Sequence, residues 1–430
     1  MRTIAVLAVA ATLVLAGCAA PSGPGTTDAE PSASAPAADS ESVTEPSTAS
    51  TDATTATATT TAAPTTSGND SSWDTDDAPT GDGLPANDTA TFRNLTALVG
   101  VDAERPALTV LDASQDYGTP LTRYVLLGLD DVDPLGLNET YGYATPGEIY
   151  VAPKAASERA VERVLVHEQF HVVQFQQGWV DPYGDPPTTD GRVAWRGVVE
   201  GTAVWVTDRY VDRHHAPGAT AGRERHAAVV EDGPSYNRLF SAPYLFGARW
   251  TDHHVDDPAN VSWAYENVPT TSEQLMHNRT PAEEPIDGVD LAIRSEDWFD
   301  RDADRLGELY VWATLRGELS ANRSRTAAAG WGGDAFTMVA DTSGRTETLA
   351  WALRWDGERD ADEFTAAARD WAAARDDDVA IRVLRVNATT SVVLAGQDAF
   401  VGNATADVEG GTVVVAHGNA TAATDARGVA

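Results

Sequence analysis

Residues 161–178 read Val-Glu-Arg-Val-Leu-Val-His167-Glu168-Gln-Phe-His171-Val-Val-Gln-Phe-Gln-Gln-Gly178, and this stretch decides the interpretation of the chain. Apolar residues recur in it at helical spacing, and glycine is common just after the end of a helix. We therefore predict a long helix from about residue 155 to residue 177. The preceding residues 147–152 have the composition of a strand that Pro153 stops, and we interpret them as a candidate edge strand.

Two histidines of this helix, His167 and His171, are four residues apart and lie on one face, from which both imidazoles can reach a single metal ion. Glu168 is about 100° further round the helix, so its carboxylate can contact a water held by that ion. The only cysteine of the chain is Cys18, which excludes a thiolate metal site. The spacing therefore predicts zinc bound by histidine and carboxylate, with Glu168 as general base.

A catalytic zinc site needs a third protein ligand and an open position for water. In the metzincin pattern this ligand is a histidine six residues after the second one, with glycine midway, but these positions hold Gln177 and Gln174. Glu200 is the better candidate, because it lies among small and apolar residues on a second predicted helix, at about residues 191–213. The alternative is a buried glutamate that pairs with an arginine such as Arg196.

With this glutamate on a second helix, the sequence resembles a known class. His-Glu-x-x-His followed by Glu-Gly-x-Ala is similar to the gluzincins, the thermolysin-type branch of the zincins. Later motifs in the same order resemble haloarchaeal surface proteins of uncharacterised function: Pro243-Tyr-Leu-Phe-Gly247, Pro269-Thr-Thr-Ser-Glu-Gln-Leu-Met-His277 and Ala329-Gly-Trp-Gly-Gly-Asp334. The resemblance covers roughly residues 90–400. It implies an α+β, zincin-like fold with two long active-site helices, and Zn2+ bound by His167, His171 and Glu200.

Two positions depart from the pattern of these relatives. Thr202 stands where the related sequences carry an aspartate, and Val204 stands where thermolysin-like enzymes carry an acidic residue that orients a histidine. Such orienting residues typically matter 10- to 100-fold for metal affinity or activity. We expect the orienting contact to come from another residue, with Asp208 as a candidate.

Two further residues are candidates for stabilising negative charge that develops during a reaction. His277 follows a polar loop and ends the Thr-Thr-Ser-Glu-Gln-Leu-Met motif, and Tyr244 lies in the Pro-Tyr-Leu-Phe-Gly motif. Both residue types can donate a hydrogen bond to an oxyanion, and both also serve as structural hydrogen-bond residues. The sequence leaves this choice open for both.

The chain begins with a pattern typical of secretion. Residues 1–18 carry a basic residue, an apolar run too short to span a bilayer, and Leu15-Ala-Gly-Cys18, which resembles a lipoprotein processing site. We therefore expect Cys18 to be lipidated. Residues 19–88 contain Thr, Ser, Ala, Pro and Asp, with neither Lys nor Arg, and this composition predicts a disordered, extracellular stalk above the membrane.

The remaining chain has the composition of a folded protein. We predict a zincin-like domain over residues 89–378 and β-strands packed on it over residues 379–430. Within these bounds the pattern predicts several elements. The predicted strands are 108–111, 124–129, 379–383, 391–394 and 412–416; the further predicted helices are 306–320 and 361–376, and Asp190 is the predicted N-cap of the second long helix.

Charge limits the partners. The chain has 65 acidic and 30 basic residues, a formal net charge of −35, and Lys154 is its only lysine. This balance argues against nucleic-acid binding, which needs basic patches, and it resembles the composition of proteins from salt-loving archaea. Ten Asn-x-Ser/Thr sequons suit a glycosylated exterior.

Two functions remain open on the sequence. The first is a cell-surface zinc hydrolase of the metallopeptidase type that acts on a protein or peptide substrate. The second is a non-catalytic surface protein that uses the same fold for adhesion or cell-wall contact. The sequence carries no signal for the oligomeric state.

We expect the fold to require salt. A net charge of −35 is screened at about 1 M salt, where the Debye length is roughly 3 Å, but far less at about 0.1 M, where it is roughly 10 Å. The melting temperature measured by circular dichroism should therefore fall as the salt concentration is lowered. An unchanged melting temperature between these two concentrations would contradict this prediction.

Overall fold

A computed structural model of the chain describes residues 18–19, 83–112, 121–132, 141–154, 156–180, 186–215 and 222–418, all in one compact unit. The fold is α+β, as predicted. The helices in these ranges are α1 (Asp88–Val99), α2 (Thr122–Leu126), α3 (Glu158–Gln176), α4 (Thr189–His214), α5 (Gly222–Asp232), α6 (Ser235–His254), α7 (Trp263–Glu266), α8 (Ser272–Met276), α9 (Glu308–Glu318), α10 (Ala321–Ala328), α11 (Glu358–Ala374) and α12 (Asp398–Val401).

The strands form three sheets. The first has the order β1-β3-β4-β2, the second β6-β7-β8-β10-β9, and the third β11-β12-β5. Their bounds are β1 (Cys18–Ala19), β2 (Ala107–Val110), β3 (Tyr141–Ala144), β4 (Glu148–Ala152), β5 (Asp290–Arg294), β6 (Trp298–Asp304), β7 (Trp331–Asp341), β8 (Thr348–Trp355), β9 (Ala380–Arg385), β10 (Thr390–Gly396), β11 (Thr405–Glu409) and β12 (Thr412–Ala416).

The strand before the motif helix is not an edge strand. β4 pairs in parallel with β2 on one side and antiparallel with β3 on the other, so the prediction of an edge strand at residues 147–152 is wrong. The reason lies in β3, because the four-residue run Tyr141–Ala144 is too short to show a strand pattern in the sequence and supplies the second neighbour of β4. The apolar face of this sheet packs on α3, with Ile149 and Val151 against Val161 and Leu165.

Side-chain caps start both long helices. Ser157 accepts a hydrogen bond from the amide of Ala160 at the start of α3, and Gly178, in the left-handed conformation, follows the C-cap of that helix. Thr188, rather than the predicted Asp190, caps α4. Asp190 instead accepts hydrogen bonds from Ser272 and Arg305. Its buried carboxylate thereby joins α4 to α8 and to the segment before α9.

Three glycines let the backbones of α4 and α6 touch. A Cβ atom at Gly201 would lie 2.2 Å from the carbonyl carbon of Gly247, and one at Gly247 would lie 1.8 Å from the carbonyl oxygen of Gly197. Neither contact leaves room for a side chain. Small residues beside Glu200 thus permit a close helix approach, and the partner helix is α6.

The second sheet is covered on both faces. Side chains alternate along β8: Leu349, Trp351 and Leu353 lie in the core shared with α9 and α11, and Ala350 and Ala352 lie in the core shared with the third sheet. The third sheet contains β12, which pairs in parallel with β5 and antiparallel with β11. The strands after residue 379 are thus integrated with strands that precede them: β10 pairs with β8, and β12 with β5.

Two predicted boundaries differ from the structure. Residues 124–129 are not a strand but the end of α2 and the turn after it, because a short apolar run does not distinguish strand from helix. Packing also begins before residue 89, since Leu84 and Ala86 are buried against β4 and α3.

Other predictions fall outside the described residues. These are the signal sequence up to residue 17, residues 20–82 of the predicted stalk, and the tail from residue 419. For Cys18 the structure describes only the backbone, in β1. Among the described helices none is both long and apolar enough to cross a membrane.

The glycine contact gives a stability test. Gly201→Ala forces a methyl group into the backbone of Gly247, so we expect it to lower the free energy of unfolding by about 3 kcal/mol or more. Gly317→Ala is the matched control, because Gly317 is also helical but its added Cβ would meet only the carbonyl oxygen of Gly128, at 3.6 Å. That change should be neutral or stabilising by up to about 1 kcal/mol. Equal effects of the two variants in chemical denaturation would contradict the interpretation.

Candidate metal centre

Helices α3 and α4 bring three side chains together. The Oε2 atom of Glu200 lies 3.3 Å from Nε2 of His167 and 3.2 Å from Nε2 of His171. The three ligand atoms lie within 4.8 Å of one another, and all three residues are buried. The structure therefore brings together the three residues that the sequence predicted as metal ligands.

Their spacing fits a tetrahedral metal ion. With bonds of about 2.0–2.1 Å, two ligand atoms of a tetrahedral zinc site lie roughly 3.3 Å apart. The two nitrogen-to-oxygen distances of 3.3 and 3.2 Å match this value. Two imidazoles and one carboxylate are also a donor set that zinc accepts, and they leave a fourth position for water.

Gln174 orients His171. Its side-chain amide nitrogen donates to the backbone carbonyl oxygen of Val199 at 2.8 Å, and because a carbonyl can only accept, the other end of the amide must be the oxygen. That oxygen accepts from Nδ1 of His171 at 2.7 Å. In the neutral form of His171 the proton is thereby held on Nδ1, which leaves Nε2 as the ring nitrogen that faces Glu200.

The same glutamine is held by a buried network. Its amide nitrogen lies 2.7 Å from the hydroxyl of Tyr265 and 3.1 Å from Oγ1 of Thr202, and these two hydroxyls are 2.6 Å apart. Thr202 thus takes part in the network that orients His171. The sequence showed Gln174 only as a departure from the metzincin pattern, and nothing in it marked Tyr265.

Electrostatics favour a cation between these residues. Burial opposes ionisation of Glu200, but the two histidines outweigh it and hold its pKa well below the usual range. Burial lowers the pKa of His167. For His171 burial also opposes the charge, yet the Glu200 carboxylate raises the pKa to about 9. An imidazole nitrogen and a carboxylate oxygen at 3.2 Å attract each other only when a proton or a metal ion lies between them.

Glu168 is buried on the side of the first sheet. A Cβ atom at Gly142 would lie 2.8 Å from Cγ of Glu168 and 2.9 Å from Cγ1 of Val164, so only glycine at this position of β3 leaves room for the glutamate. The carboxylate also contributes to the raised pKa of His171. Glu168 therefore lies beside the cluster, on a neighbouring face of α3, as the sequence predicted.

Helix α6 places Tyr244 next to the cluster. The ring of Tyr244 is nearly parallel to that of His167, with centroids 6.2 Å apart, and its hydroxyl accepts a hydrogen bond from Arg196 at 3.4 Å. The guanidinium of Arg196 lies over the rings of Phe240 and Tyr244. Arg196, one turn before Glu200 on α4, therefore links the tyrosine to the helix that carries the third ligand.

Helix α5 adds a histidine that the sequence did not single out. The ring of His226 stacks on Tyr244 with centroids 4.7 Å apart. Burial, together with the nearby His167 and Arg225, lowers the pKa of His226 to about 3, so the imidazole is neutral near pH 7. A lone histidine outside any motif offers no signal in the sequence.

Asp208 does not orient a predicted metal ligand, contrary to the expectation from the sequence. Its carboxylate instead accepts hydrogen bonds from the first two backbone amides of α5.

The structure does not bring His277 to the cluster. Its Nε2 atom lies 2.9 and 3.0 Å from the two carboxylate oxygens of Glu308, at the start of α9. This contact raises the pKa of His277. Of the two predicted candidates for stabilising an oxyanion, only Tyr244 lies beside the predicted ligands.

A cavity of about 200 Å³ lies along the face of α4 that carries Arg192, Arg196 and Glu200. Its charged side chains are those of Arg123, Arg192 and Arg196, with tyrosine and phenylalanine rings between them. Asp304 is 3.7 Å from Arg123 and 3.9 Å from Arg192 and is the acidic residue in contact with them. The cavity is therefore basic in a chain that is strongly acidic elsewhere. Its lining residues are Arg123, Tyr124, Thr189, Arg192, Val193, Arg196, Leu239, Phe240, Pro243 and Tyr310.

Comparison with known families matches residues 296–427 to a domain of unknown function, DUF8575. The chain is similar to this family from the beginning of β6 to beyond β12. The match begins after His167, His171 and Glu200, so it does not extend to the candidate metal ligands. No curated protein and no solved structure matches the chain.

Proposed function

We propose that the protein is a cell-surface, zinc-dependent hydrolase with a zincin-like fold, of the gluzincin type, that cleaves peptide bonds. One observation carries this proposal. His167, His171 and Glu200 converge in a buried cluster at the spacing of a tetrahedral site, and Gln174 holds His171 in the tautomer that binds a metal through Nε2. The first eighteen residues and the polar segment after them support a location outside the cell.

The residues of the cluster have distinct tasks in this proposal. His167, His171 and Glu200 hold Zn2+, which supplies a Lewis acid for a carbonyl group and lowers the pKa of water when it is bound. Glu168 takes the proton of the attacking water and delivers it to the leaving amine. Tyr244 donates a hydrogen bond to the oxygen that gains negative charge, and Arg196 orients its hydroxyl.

The basic cavity supports a substrate class. Arg196 and Arg192 are one and two turns before Glu200, or about 6 and 12 Å along the axis of α4. An extended peptide advances about 3.3 Å per residue. A peptide bound across the cluster would therefore place a side chain two to four residues from the scissile bond against these guanidinium groups. We propose that this side chain is acidic.

The division of labour between two glutamates gives the central test. The wild-type protein should hold about one zinc per chain and cleave an unfolded protein substrate in a chelator-sensitive reaction. Glu168→Gln should keep the zinc and lower the rate roughly 10²- to 10⁴-fold, because it removes the general base. Glu200→Gln should weaken zinc binding, because it removes a charged ligand. Elemental analysis and cleavage assays measure both effects.

Each outcome of this test has a clear meaning. A folded wild-type protein without zinc after loading would contradict the metal site. Zinc binding without cleavage of a broad peptide library would favour the adhesion function. Loss of zinc from Glu168→Gln, with zinc retained by Glu200→Gln, would reverse the assignment of ligand and base.

Substrate charge gives a second test. Arg192→Gln should lower kcat/KM about 10-fold for peptides with an acidic residue two to four positions from the cleaved bond, and leave neutral peptides unaffected. Arg213→Gln is the control, because Arg213 is exposed in the last turn of the same helix. Assays at one fixed salt concentration compare the variants. An equal loss on acidic and neutral peptides would contradict the proposed substrate class.

A further inference from the structure

A second group of acidic side chains converges away from the histidines. Carboxylate oxygens of Glu273, Glu284 and Asp356 lie within 4.8 Å of one another. Glu273 belongs to α8, Glu284 to the segment between α8 and β5, and Asp356 to the turn between β8 and α11. Three distant parts of the chain therefore meet at one point.

Glu273 is the unusual member of this group. The residue is only 7% exposed, and within the described part of the chain its carboxylate receives no hydrogen bond and no ion pair. The charged groups that act on it most strongly are Glu308, Glu284 and Asp356, all of them acidic. Burial and these neighbours raise the pKa of Glu273 to about 9. A buried carboxylate in these surroundings is stabilised by a proton or by a cation.

The neighbouring acids are already paired with basic or hydroxyl groups. Glu308 accepts from His277, and Asp190 accepts from Ser272 and Arg305. These contacts use the nearby donors and leave the carboxylate of Glu273 facing Glu284 and Asp356. The group therefore differs from a solvated acidic surface, because its innermost member is buried and points at the other two.

The fold, rather than mutual attraction, holds the three carboxylates together. The side-chain amide of Gln274 donates to the backbone carbonyl of Glu284 at 2.6 Å, which joins that segment to α8. The amide of Asp356 donates to the carbonyl of Gly330 at 2.9 Å, and the amide of Asp287 donates to that of Gly332 at 2.9 Å. These backbone contacts join the segment of Glu284 to the start of β7 and to the turn that carries Asp356.

We propose that Glu273, Glu284 and Asp356 bind a divalent cation of the calcium type, which crosslinks α8 to the second sheet. Three carboxylates without nitrogen or sulfur donors suit a hard cation, and calcium accepts irregular sets of six to eight oxygens that include carbonyls and water. Intermediate exposure of Glu284 and exposure of Asp356 give the cation a route to the site. The site is independent of zinc and of catalysis.

The crosslink has a structural consequence for the metal centre. Helix α8 supports α4 directly, since Leu275 fills the space in front of Gly197 and Ser272 bonds to Asp190. A bound cation therefore stabilises the contact between the helices of the metal centre and the second sheet. Of the three carboxylates, that of Asp356 lies in the part of the chain that matches the family of unknown function, whereas Glu273 and Glu284 precede that part.

Thermal unfolding of the full chain with calcium tests this proposal. Samples are freed of calcium on a chelating resin, given the same amount of zinc, and kept at one ionic strength while calcium chloride is added. We expect the melting temperature of the wild type to rise by about 5 °C at saturation, and calorimetry to show about one calcium per chain. No rise in the wild type would overturn the proposal.

Glu273→Gln separates the cation site from a purely structural role. Without calcium this variant should be at least as stable as the wild type, because glutamine is neutral and avoids the buried carboxyl group whose ionisation the surroundings oppose, and it should lose the calcium response. Asp356→Asn, at the exposed edge, should lose most of the response as well, which keeps the test valid if Glu273→Gln does not fold. Glu318→Gln, an exposed acid at the end of α9, should keep the full response. An equal response in all three variants would overturn the proposal.

Discussion

The contact between α4 and α6 at Gly201 and Gly247 is the constraint on which the candidate metal centre depends. Because no side chain separates the two backbones, Tyr244 on α6 lies close enough to stack near His167 and to accept a hydrogen bond from Arg196. Residues of both helices line the basic cavity, among them Arg192 and Arg196 of α4 and Phe240 of α6. A larger residue at either glycine would widen this distance and separate the tyrosine from the cluster.

Buried hydrogen-bonding groups also hold the helices in this arrangement. The side-chain amide of Gln174 forms hydrogen bonds with His171, Val199 and Tyr265. This one group therefore sets the tautomer of neutral His171 and joins α3 to α4. Asp190 plays a similar part at the start of α4, where it bonds to α8 and to Arg305. Such networks stabilise a single arrangement because each buried donor or acceptor left without its partner would cost about 1–3 kcal/mol.

The charge near the candidate metal ligands differs from that of the chain as a whole. The chain carries a net charge of −35, yet arginines line the cavity beside the cluster, where aromatic rings pack on their guanidinium groups. The two clusters of candidate metal ligands also differ in chemistry. The first combines two imidazoles with Glu200, which suits zinc, whereas the second contains only carboxylates, which suit calcium. The two proposals therefore assign a different cation to each cluster.

The sequence by itself determined the residues whose relation is local or set by helical period. His167, Glu168 and His171 follow from spacing on one helix, and Glu200 follows from a carboxylate among small and apolar neighbours. Only the tertiary structure decided what lies across space. It brought Tyr244 and His226 to the cluster, took His277 to Glu308, and placed β4 between two other strands. The physical reason is that a side chain's partners on other elements depend on helix approach and strand order, which the chain's local pattern does not encode.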